Sequence, residues 1–293
     1  MIIFPDISPA LFSIEVGGFE FALRWYALAY IIGILLGWKL AVLATRRVAL
    51  WPKNQPPIGP LQVEDLLTWV IIGVILGGRL GYVLFYKPAY FAAQPAEIMM
   101  LWNGGMAFHG GLIGVIIAAF LYYRRNLVPY LSGADLLALC TPMGLLLGRS
   151  ANFINAELWG RATDLPWGVA FPGEAAQACG QISSLCARHP SQLYEAFLEG
   201  FVLLTLLIYM SFRKKALTRP GLITGTFFAG YGIARYIVEF ARQPDLHFQS
   251  VENPIGYMFY SDKFGITMGQ VLSVPMIFVG LALVIHALHR PAH

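Results

Sequence analysis

The sequence predicts an all-α polytopic membrane protein with about seven transmembrane helices and a small head region outside the membrane. Of its 293 residues, 57% are hydrophobic and only 12% are charged, and the mean hydropathy is +0.63. A soluble domain carries about twice that charged fraction. So much apolar sequence needs lipid around it, and the net charge of +4 then indicates basic loops on one membrane face rather than nucleic-acid binding.

Each predicted helix is a mostly apolar stretch of roughly 20 residues, the length that crosses a bilayer. Backbone amides in hydrocarbon must be paired internally, which favours a helix for every stretch. Gly73, Gly77 and Gly81 have the spacing of a close helix–helix contact in the second stretch. The predicted spans are residues 25–44, 66–86, 104–123, 133–149, 193–212, 221–241 and 266–287.

Basic residues predict the orientation of these spans. They cluster after the first, third, fifth and seventh spans, which places all the clusters on one side, and the positive-inside rule makes that side cytoplasmic. The N-terminus and two longer loops, residues 150–192 and 243–265, are then outside, and the C-terminus is inside. The basic residues are Arg46, Arg47 and Lys53, then Arg124 and Arg125, then Arg213, Lys214, Lys215 and Arg219, and finally Arg290.

The three cysteines predict no metal site, because they show neither CxxC pairs nor histidine spacing. Cys140 lies in an apolar span, where packing is its expected role. Cys179 and Cys186 share a predicted outer loop in an oxidising compartment. The sequence leaves open whether these two form a disulfide.

Ionisable and tyrosine side chains from several spans fall within one layer of the outer leaflet when a helical rise of about 1.5 Å per residue is applied. Charges inside spans are costly and usually mark function. Arginines provide forked donors for phosphate oxygens, and a histidine can take a proton near neutral pH. The layer therefore predicts binding of an anionic lipid headgroup. Its members are Arg24, Tyr26, Arg79, His109, Arg149, Glu195, Glu199, Tyr231, Arg235 and Glu239.

The same residues have ordinary structural interpretations, which stay open at this point. Arg235 and Glu239 have the spacing of an i, i+4 ion pair. Arg79 could extend towards the interface, and His109 could be a packing residue. A transporter would use such charges along a translocation path, but it would also need polar residues through the full depth and often inverted repeats. A scaffold protein would use them as an ion-pair network.

A long polar motif distinguishes these alternatives. Residues 148–161 are GRSANFINAELWGR, which resembles the signature G-R-x-x-N-F-x-N-x-E-x-x-G of the prolipoprotein diacylglyceryl transferase family. Six further blocks agree with that family in order, so the resemblance covers essentially the whole chain. They are RWY at 24–26, GGRLGYVLFY at 77–86, HGGL at 109–112, HPSQLYE at 189–195, YGIARYIVEFARQPD at 231–245 and GQVLS at 269–273.

The resemblance implies a bacterial inner-membrane enzyme of seven helices with a periplasmic head region. Such an enzyme moves the sn-1,2-diacylglyceryl group of phosphatidylglycerol onto the lipobox cysteine of a preprolipoprotein, without a metal or organic cofactor. Arg149 and Arg235 match the family's phosphate-binding arginines. The other implied functional positions are Tyr26, His109, Asn152, Glu157, Gly160, Tyr231 and Glu239, and Asn155 is a further fixed position of the signature.

Residue chemistry suggests a role for each group in this reaction. Arg149 and Arg235 would stabilise the departing phosphate, and Glu239 would orient Arg235. Asn152, Asn155 and Glu157, with Tyr26, Arg79, Gly160 and Tyr231, are the remaining candidates for substrate binding. His109 is the first candidate for the base that deprotonates the acceptor thiol. The alternative is that neighbouring arginines lower the thiol pKa enough to make a dedicated base unnecessary.

Overall fold

Helices make up most of the computed structural model, which describes residues 1–17, 19–179, 185–243, 250, 253, 255–261 and 264–290. Of the predicted outer loops, residues 180–184, 244–249, 251–252, 254 and 262–263 lie outside this description. The helices are α1 (Trp25–Arg46), α2 (Pro60–Phe85), α3 (Pro88–Ala93), α4 (Phe108–Arg125), α5 (Tyr130–Ile154), α6 (Glu174–Gln177), α7 (Ser191–Glu195), α8 (Leu203–Phe212), α9 (Leu222–Val238) and α10 (Met268–His289). A π-helical segment, Ala196–Val202, joins α7 to α8.

Five helices in the described part of the chain are long and apolar enough to cross a membrane, which confirms a polytopic membrane protein. They are Trp25–Arg46, Pro60–Phe85, Tyr130–Ile154, Ser191–Phe212 and Met268–His289. Large side chains such as Leu35, Ile72 and Phe278 are exposed on them, as expected for helices that face lipid. The other two predicted spans coincide with α4, whose 18 residues end in Arg124 and Arg125, and with α9, an apolar helix of 17 residues. A seven-span topology therefore stays a prediction.

Glycines allow α2 and α4 to pack at backbone contact. A Cβ atom on Gly73 would lie 2.5 Å from the carbonyl oxygen of Gly114, and one on Gly81 would lie 2.7 Å from Cα of Gly110. Gly77 faces the same two glycines of α4. The close contact predicted from the glycine spacing is confirmed, and at these glycines it brings the two backbones directly together.

The long helix α5 packs against α1, the α7–α8 helix and α9. Near its start, the buried carboxylate of Asp135 accepts hydrogen bonds from the amides of Gly221 and Thr224, both at 2.7 Å, and from the Thr224 hydroxyl. These amides belong to the first turn of α9, where helical partners are missing. Asp135 thus caps α9 from a neighbouring helix and fixes the position of the chain that carries Arg235.

Short strands and a disulfide lie outside the long helices, so the described fold is mostly helical rather than all-α as predicted. Strand β1 (Ile2–Ile3) pairs in parallel with β4 (Val169–Ala170), while β2 (Ala10–Val16) and β3 (Phe19–Arg24) form a hairpin that runs directly into α1. Strands β5 (Phe259–Ser261) and β6 (Phe264–Ile266) form a second hairpin before α10. The structure joins Cys179 to Cys186, which settles the pairing that the sequence left open.

Candidate active site

One buried carboxylate, that of Glu195, forms ion pairs with three arginines. Glu195 ends α7, and its side chain is 1% exposed. Its Oε2 atom lies 3.1 Å from Nε of Arg149, at the end of α5, and its Oε1 atom lies 2.6 Å from Nη1 of Arg235, on α9. Arg242, just after α9, places Nη1 at 3.3 Å from the same Oε1 atom. The two arginines predicted to bind phosphate therefore share one partner, and we call Arg149, Arg235 and Arg242 the arginine cluster.

A second carboxylate holds Arg235 from its other side. Oε2 of Glu239 lies 2.9 Å from Nη2 of Arg235, which confirms the i, i+4 ion pair. Oε1 of Glu239 accepts a hydrogen bond of 3.1 Å from the hydroxyl of Thr267. The Arg235 guanidinium is thus fixed by two carboxylates, one at the end of α7 and one directly after α9, as a group that must present a defined face to a ligand would be.

The arginine cluster keeps donors and positive charge for a ligand. Within the described residues, Arg149 uses only Nε, so both of its terminal nitrogens lack a protein partner, and its side chain is 20% exposed. The three guanidinium groups make ion pairs with two carboxylates, those of Glu195 and Glu239, which leaves one positive charge in excess within these pairs. One singly charged anion, such as a phosphodiester, matches that excess.

Residues 155–160 follow α5, and we call them the signature loop; polar side chains of the loop and of α5 and α7 hold it in place. The Nδ2 atom of Asn152 donates to Oε1 of Glu157 at 2.8 Å, and Nδ2 of Asn155 approaches the same oxygen at 3.3 Å. Gln192 donates to the backbone carbonyl of Glu157, which ties the loop to α7. These contacts place the loop beside the arginine cluster, since Asn152 follows Arg149 by less than one helical turn.

Gly160 is required by packing rather than by a side-chain contact. Its amide donates to the carbonyl of His189 at 2.9 Å, and a Cβ atom at this position would lie 2.8 Å from Cβ of His189. Its backbone also forms a bridge with Arg242. Gly160 therefore lets the signature loop approach the segment that carries the third arginine.

Two tyrosines border this region. The hydroxyl of Tyr26 lies 3.2 Å from that of Tyr30, and the Tyr26 ring is near enough to Arg149 and Glu157 to interact with their charges. Tyr231 stacks on Phe227 one turn before Arg235 and lies near the same charged groups. Binding of substrate by Tyr26 and Tyr231 stays a prediction.

Arg79 is engaged elsewhere. Its three nitrogens donate to five backbone carbonyls, those of Glu97, Ile98, Met100, Gly104 and Gly105, and its guanidinium carbon lies 5.1 Å from the centre of the Phe91 ring. All five N–H groups are therefore used to hold the segment that follows α2. These contacts indicate a structural role. Binding of a headgroup by Arg79 stays a prediction, and no N–H group of its guanidinium is left free to support it.

His109 lies apart from the arginine cluster among the described contacts. It is an exposed residue in the first turn of α4 and makes an edge contact with the Phe108 ring at 5.6 Å. In the described part of the chain no contact joins its imidazole to Arg149, Arg235 or Glu195. Its role as the thiol base stays a prediction.

Sequence reasoning missed several residues of this site. Glu195 was predicted as a member of the charged layer but was given no role in the reaction, whereas it is the shared partner of the arginine cluster. Arg242 was not singled out, although it follows Arg235 by seven residues, the length of about two helical turns; in the structure it lies beyond the end of α9. Thr267 gave no signal, because its partner Glu239 is 28 residues away. Glu199 is fully buried, and neither of its carboxylate oxygens has a hydrogen-bond partner within the described residues.

One titratable group outside the spans also borders the site. Partial burial and the nearby positive charge of Arg161 lower the pKa of His189. The Nδ1 atom of His189 lies 3.2 Å from the hydroxyl of Tyr194, which accepts a hydrogen bond from the Trp167 indole at 2.9 Å. Because the neutral imidazole is favoured, Nδ1 can accept a hydrogen bond from the Tyr194 hydroxyl, which completes this chain of hydrogen bonds.

No group of three or more His, Cys, Asp or Glu side chains is placed to hold a metal ion among the residues that the structure describes. The expectation of a reaction without metal or organic cofactor therefore stays a prediction. The chemistry that the site does present is electrostatic: fixed guanidinium donors, of which those of Arg149 are partly exposed.

Comparison with known proteins identifies the family. The profile of the prolipoprotein diacylglyceryl transferase family matches residues 9–286. The chain is 64% identical over 289 residues to the phosphatidylglycerol–prolipoprotein diacylglyceryl transferase of Ruegeria pomeroyi, covering 99% of this chain and 98% of the relative. It is 60% identical to that of Roseobacter denitrificans over 98% of this chain and 97% of the relative, and 46% identical to that of Rhizobium leguminosarum over 99% and 95%. The chain belongs to the prolipoprotein diacylglyceryl transferase family.

Proposed function

We propose that this protein transfers the sn-1,2-diacylglyceryl group of phosphatidylglycerol to the lipobox cysteine of preprolipoproteins. The reaction forms a thioether, releases glycerol-1-phosphate and begins the maturation of bacterial lipoproteins. Enzymes named for this activity are 60–64% identical to this chain over nearly its full length, which supports the proposal. The structural observation that carries it is the arginine cluster around Glu195, because the terminal nitrogens of Arg149 remain available to a phosphate.

The cluster would act on the charge that develops as the lipid is cleaved. The acceptor sulfur, as the thiolate, forms a bond to C3 of the glyceryl group while the C3–O bond to phosphate breaks, and the oxygen keeps the electron pair. The phosphate changes from a monoanionic diester to a monoester with greater negative charge. Arg149 and Arg235 would stabilise that change, since preorganised donors are most effective where charge appears in the transition state.

The remaining site residues would place the two substrates. Glu239 orients Arg235, and Asn152, Asn155 and Glu157 line the signature loop near the headgroup, with Tyr26, Tyr231 and Gly160 around it. His109 is the first candidate for the base that would take the thiol proton. The alternative is that the positive field of the cluster lowers the thiol pKa and lets the proton leave to water.

We also propose the membrane arrangement predicted by the basic residues. In it, α4 and α9 cross the bilayer together with the five longer apolar helices. The N-terminus and head region lie in the periplasm, and the C-terminus lies in the cytoplasm of the inner membrane. The arginine cluster is then in the outer leaflet, where a phosphatidylglycerol headgroup and a secreted signal peptide can both reach it.

The test is transfer by purified protein in detergent or vesicles, with phosphatidylglycerol and a lipobox peptide as substrates and release of glycerol phosphate as the readout. Replacing Arg149 or Arg235 by Ala should lower kcat/KM by about 100-fold or more, the usual loss for a fixed oxyanion donor. Arg124→Ala, an exposed arginine at the end of α4, is the matched control and should retain activity. A peptide with Ser in place of Cys should accept no lipid.

Folded Arg149→Ala and Arg235→Ala proteins with wild-type turnover would show that the cluster is not the active site. Equal rates with the Ser peptide would contradict the thiolate mechanism. Failure of the wild-type protein to release glycerol phosphate from phosphatidylglycerol would contradict the proposed activity itself.

A further inference from the structure

The support of Arg235 leads beyond Glu239 to the first turn of α10. Thr267 is the N-cap residue of that helix and is 3% exposed. Its hydroxyl donates to Oε1 of Glu239 at 3.1 Å and accepts from the amide of Gln270 at 3.4 Å. The same oxygen therefore caps a helix and fixes a carboxylate that binds Arg235.

Gly269 provides the space that this carboxylate occupies. A Cβ atom at Gly269 would lie 2.5 Å from both Cδ and Oε2 of Glu239 and 2.6 Å from Oε1. A carboxylate at the end of a side chain can usually move away from such a contact. Here Oε2 is paired with Arg235 and Oε1 with Thr267, so that movement would break one of these two contacts.

We propose that Thr267 and Gly269 are positioning residues for the reaction: the first turn of α10 fixes the Glu239 carboxylate, and Glu239 holds the Arg235 guanidinium in the orientation that binds phosphate. This inference rests on the proposed function of Arg235. The physical reason is geometric, because a guanidinium fork stabilises a phosphate only when its donors point at the oxygens, and small displacements of such groups reduce rates strongly.

Two substitutions at Thr267 separate its hydroxyl from its volume. Thr267→Val has nearly the same shape but cannot donate to Glu239, whereas Thr267→Ser keeps the donor. We expect kcat/KM for glycerol phosphate release to fall about tenfold in the Val variant, the size expected for one hydrogen bond to a charged group, and to stay within about twofold in the Ser variant. Thr226→Val, which removes a hydroxyl that bonds only to a backbone carbonyl within α9, is the matched control.

Gly269→Ala provides an independent variant in case Thr267→Val fails to fold. Alanine favours a helix more than glycine, so the helix itself should not be weakened. The added methyl group should displace Glu239 and lower kcat/KM by a similar factor. Gly144→Ala is its control, since a Cβ atom there would meet nothing within 4 Å.

A double variant distinguishes positioning from helix capping. If Thr267 acts through Glu239, then Thr267→Val should lower activity little further in a Glu239→Gln background. If it acts only as a cap, the two losses should multiply. Thermal midpoints of all variants are measured in the same detergent, and positioning predicts activity losses that do not follow the midpoints.

Wild-type kcat/KM in folded Thr267→Val and Gly269→Ala would overturn the inference, as would multiplying losses in the double variant. Loss of activity in Arg235→Ala with full activity in both α10 variants would overturn the positioning role alone and leave the proposed function standing. Failure of the wild-type assay would instead contradict the proposed function.

Discussion

Replacement of Glu195 by Gln tests the electrostatic centre of the site most directly. The side chain keeps its shape but loses the charge that three arginines share at distances of 2.6 to 3.3 Å. Removing one partner from a buried ion pair costs about 3–5 kcal/mol. The arginine side chains are 17–20% exposed, and water partly screens their mutual repulsion, so we expect a loss near the lower limit, about 3 kcal/mol.

The assay is the thermal midpoint of the Glu195→Gln protein in detergent, with and without lipid. Phosphatidylglycerol brings a negative charge to the same guanidinium groups. It should therefore raise the midpoint of the variant more than that of the wild type, while zwitterionic phosphatidylcholine should not. Lipid at 100 times its Kd adds about 2.7 kcal/mol, enough to offset most of the loss. Glu64→Gln, an exposed carboxylate on α2, is the control.

An unchanged midpoint in Glu195→Gln would refute the reasoning that the three arginines depend on one buried carboxylate. An equal response of variant and wild type to phosphatidylglycerol would show that the headgroup does not bind at these guanidinium groups.

Two other features give independent predictions. Gly114→Ala should lower the free energy of unfolding by about 1–3 kcal/mol, because its Cβ would overlap the Gly73 carbonyl in the contact between α2 and α4. Gly144→Ala is the control, and unfolding experiments that show no difference between the two variants would contradict this packing. The pKa of His189 is lower in the folded protein than in the unfolded chain. As the pH falls through about 6.5, the unfolded chain therefore binds more protons than the folded protein, and the free energy of unfolding should decrease. Thermal midpoints between about pH 5 and 8 should show this loss in the wild type and a weaker one in His189→Gln, and parallel curves would exclude the effect.

The sequence predicted those features that depend on neighbouring residues along the chain. Five long apolar stretches became helices of membrane-spanning length, and the glycine spacing of α2 predicted its contact with α4. The pair of Arg235 and Glu239 followed from helical periodicity alone. Such patterns are local, and a single sequence contains them completely.

Contacts between distant segments were not predictable in this way. Glu195 and Arg149 lie 46 positions apart in the sequence and meet only because α5 packs against α7. Arg79 and Arg149 looked alike in the sequence, as charged residues near the ends of apolar spans. In the structure, backbone carbonyls accept from every N–H group of Arg79, whereas the terminal nitrogens of Arg149 remain free among the described residues. Hydropathy and depth do not distinguish these two situations, because the difference lies in the fold of the segment that follows each helix.

The π-helical segment Ala196–Val202 sets the angle between the two halves of its helix. Such a segment is usually equivalent to one residue inserted into a regular α-helix. Deleting one residue there would restore regular winding but turn Glu195 by about 100° relative to the apolar face of α8. The shortened chain could then place the Glu195 carboxylate among the arginines or pack α8 against its neighbours, but not both. The number of residues in this segment is therefore constrained even at positions where the side chain can be replaced.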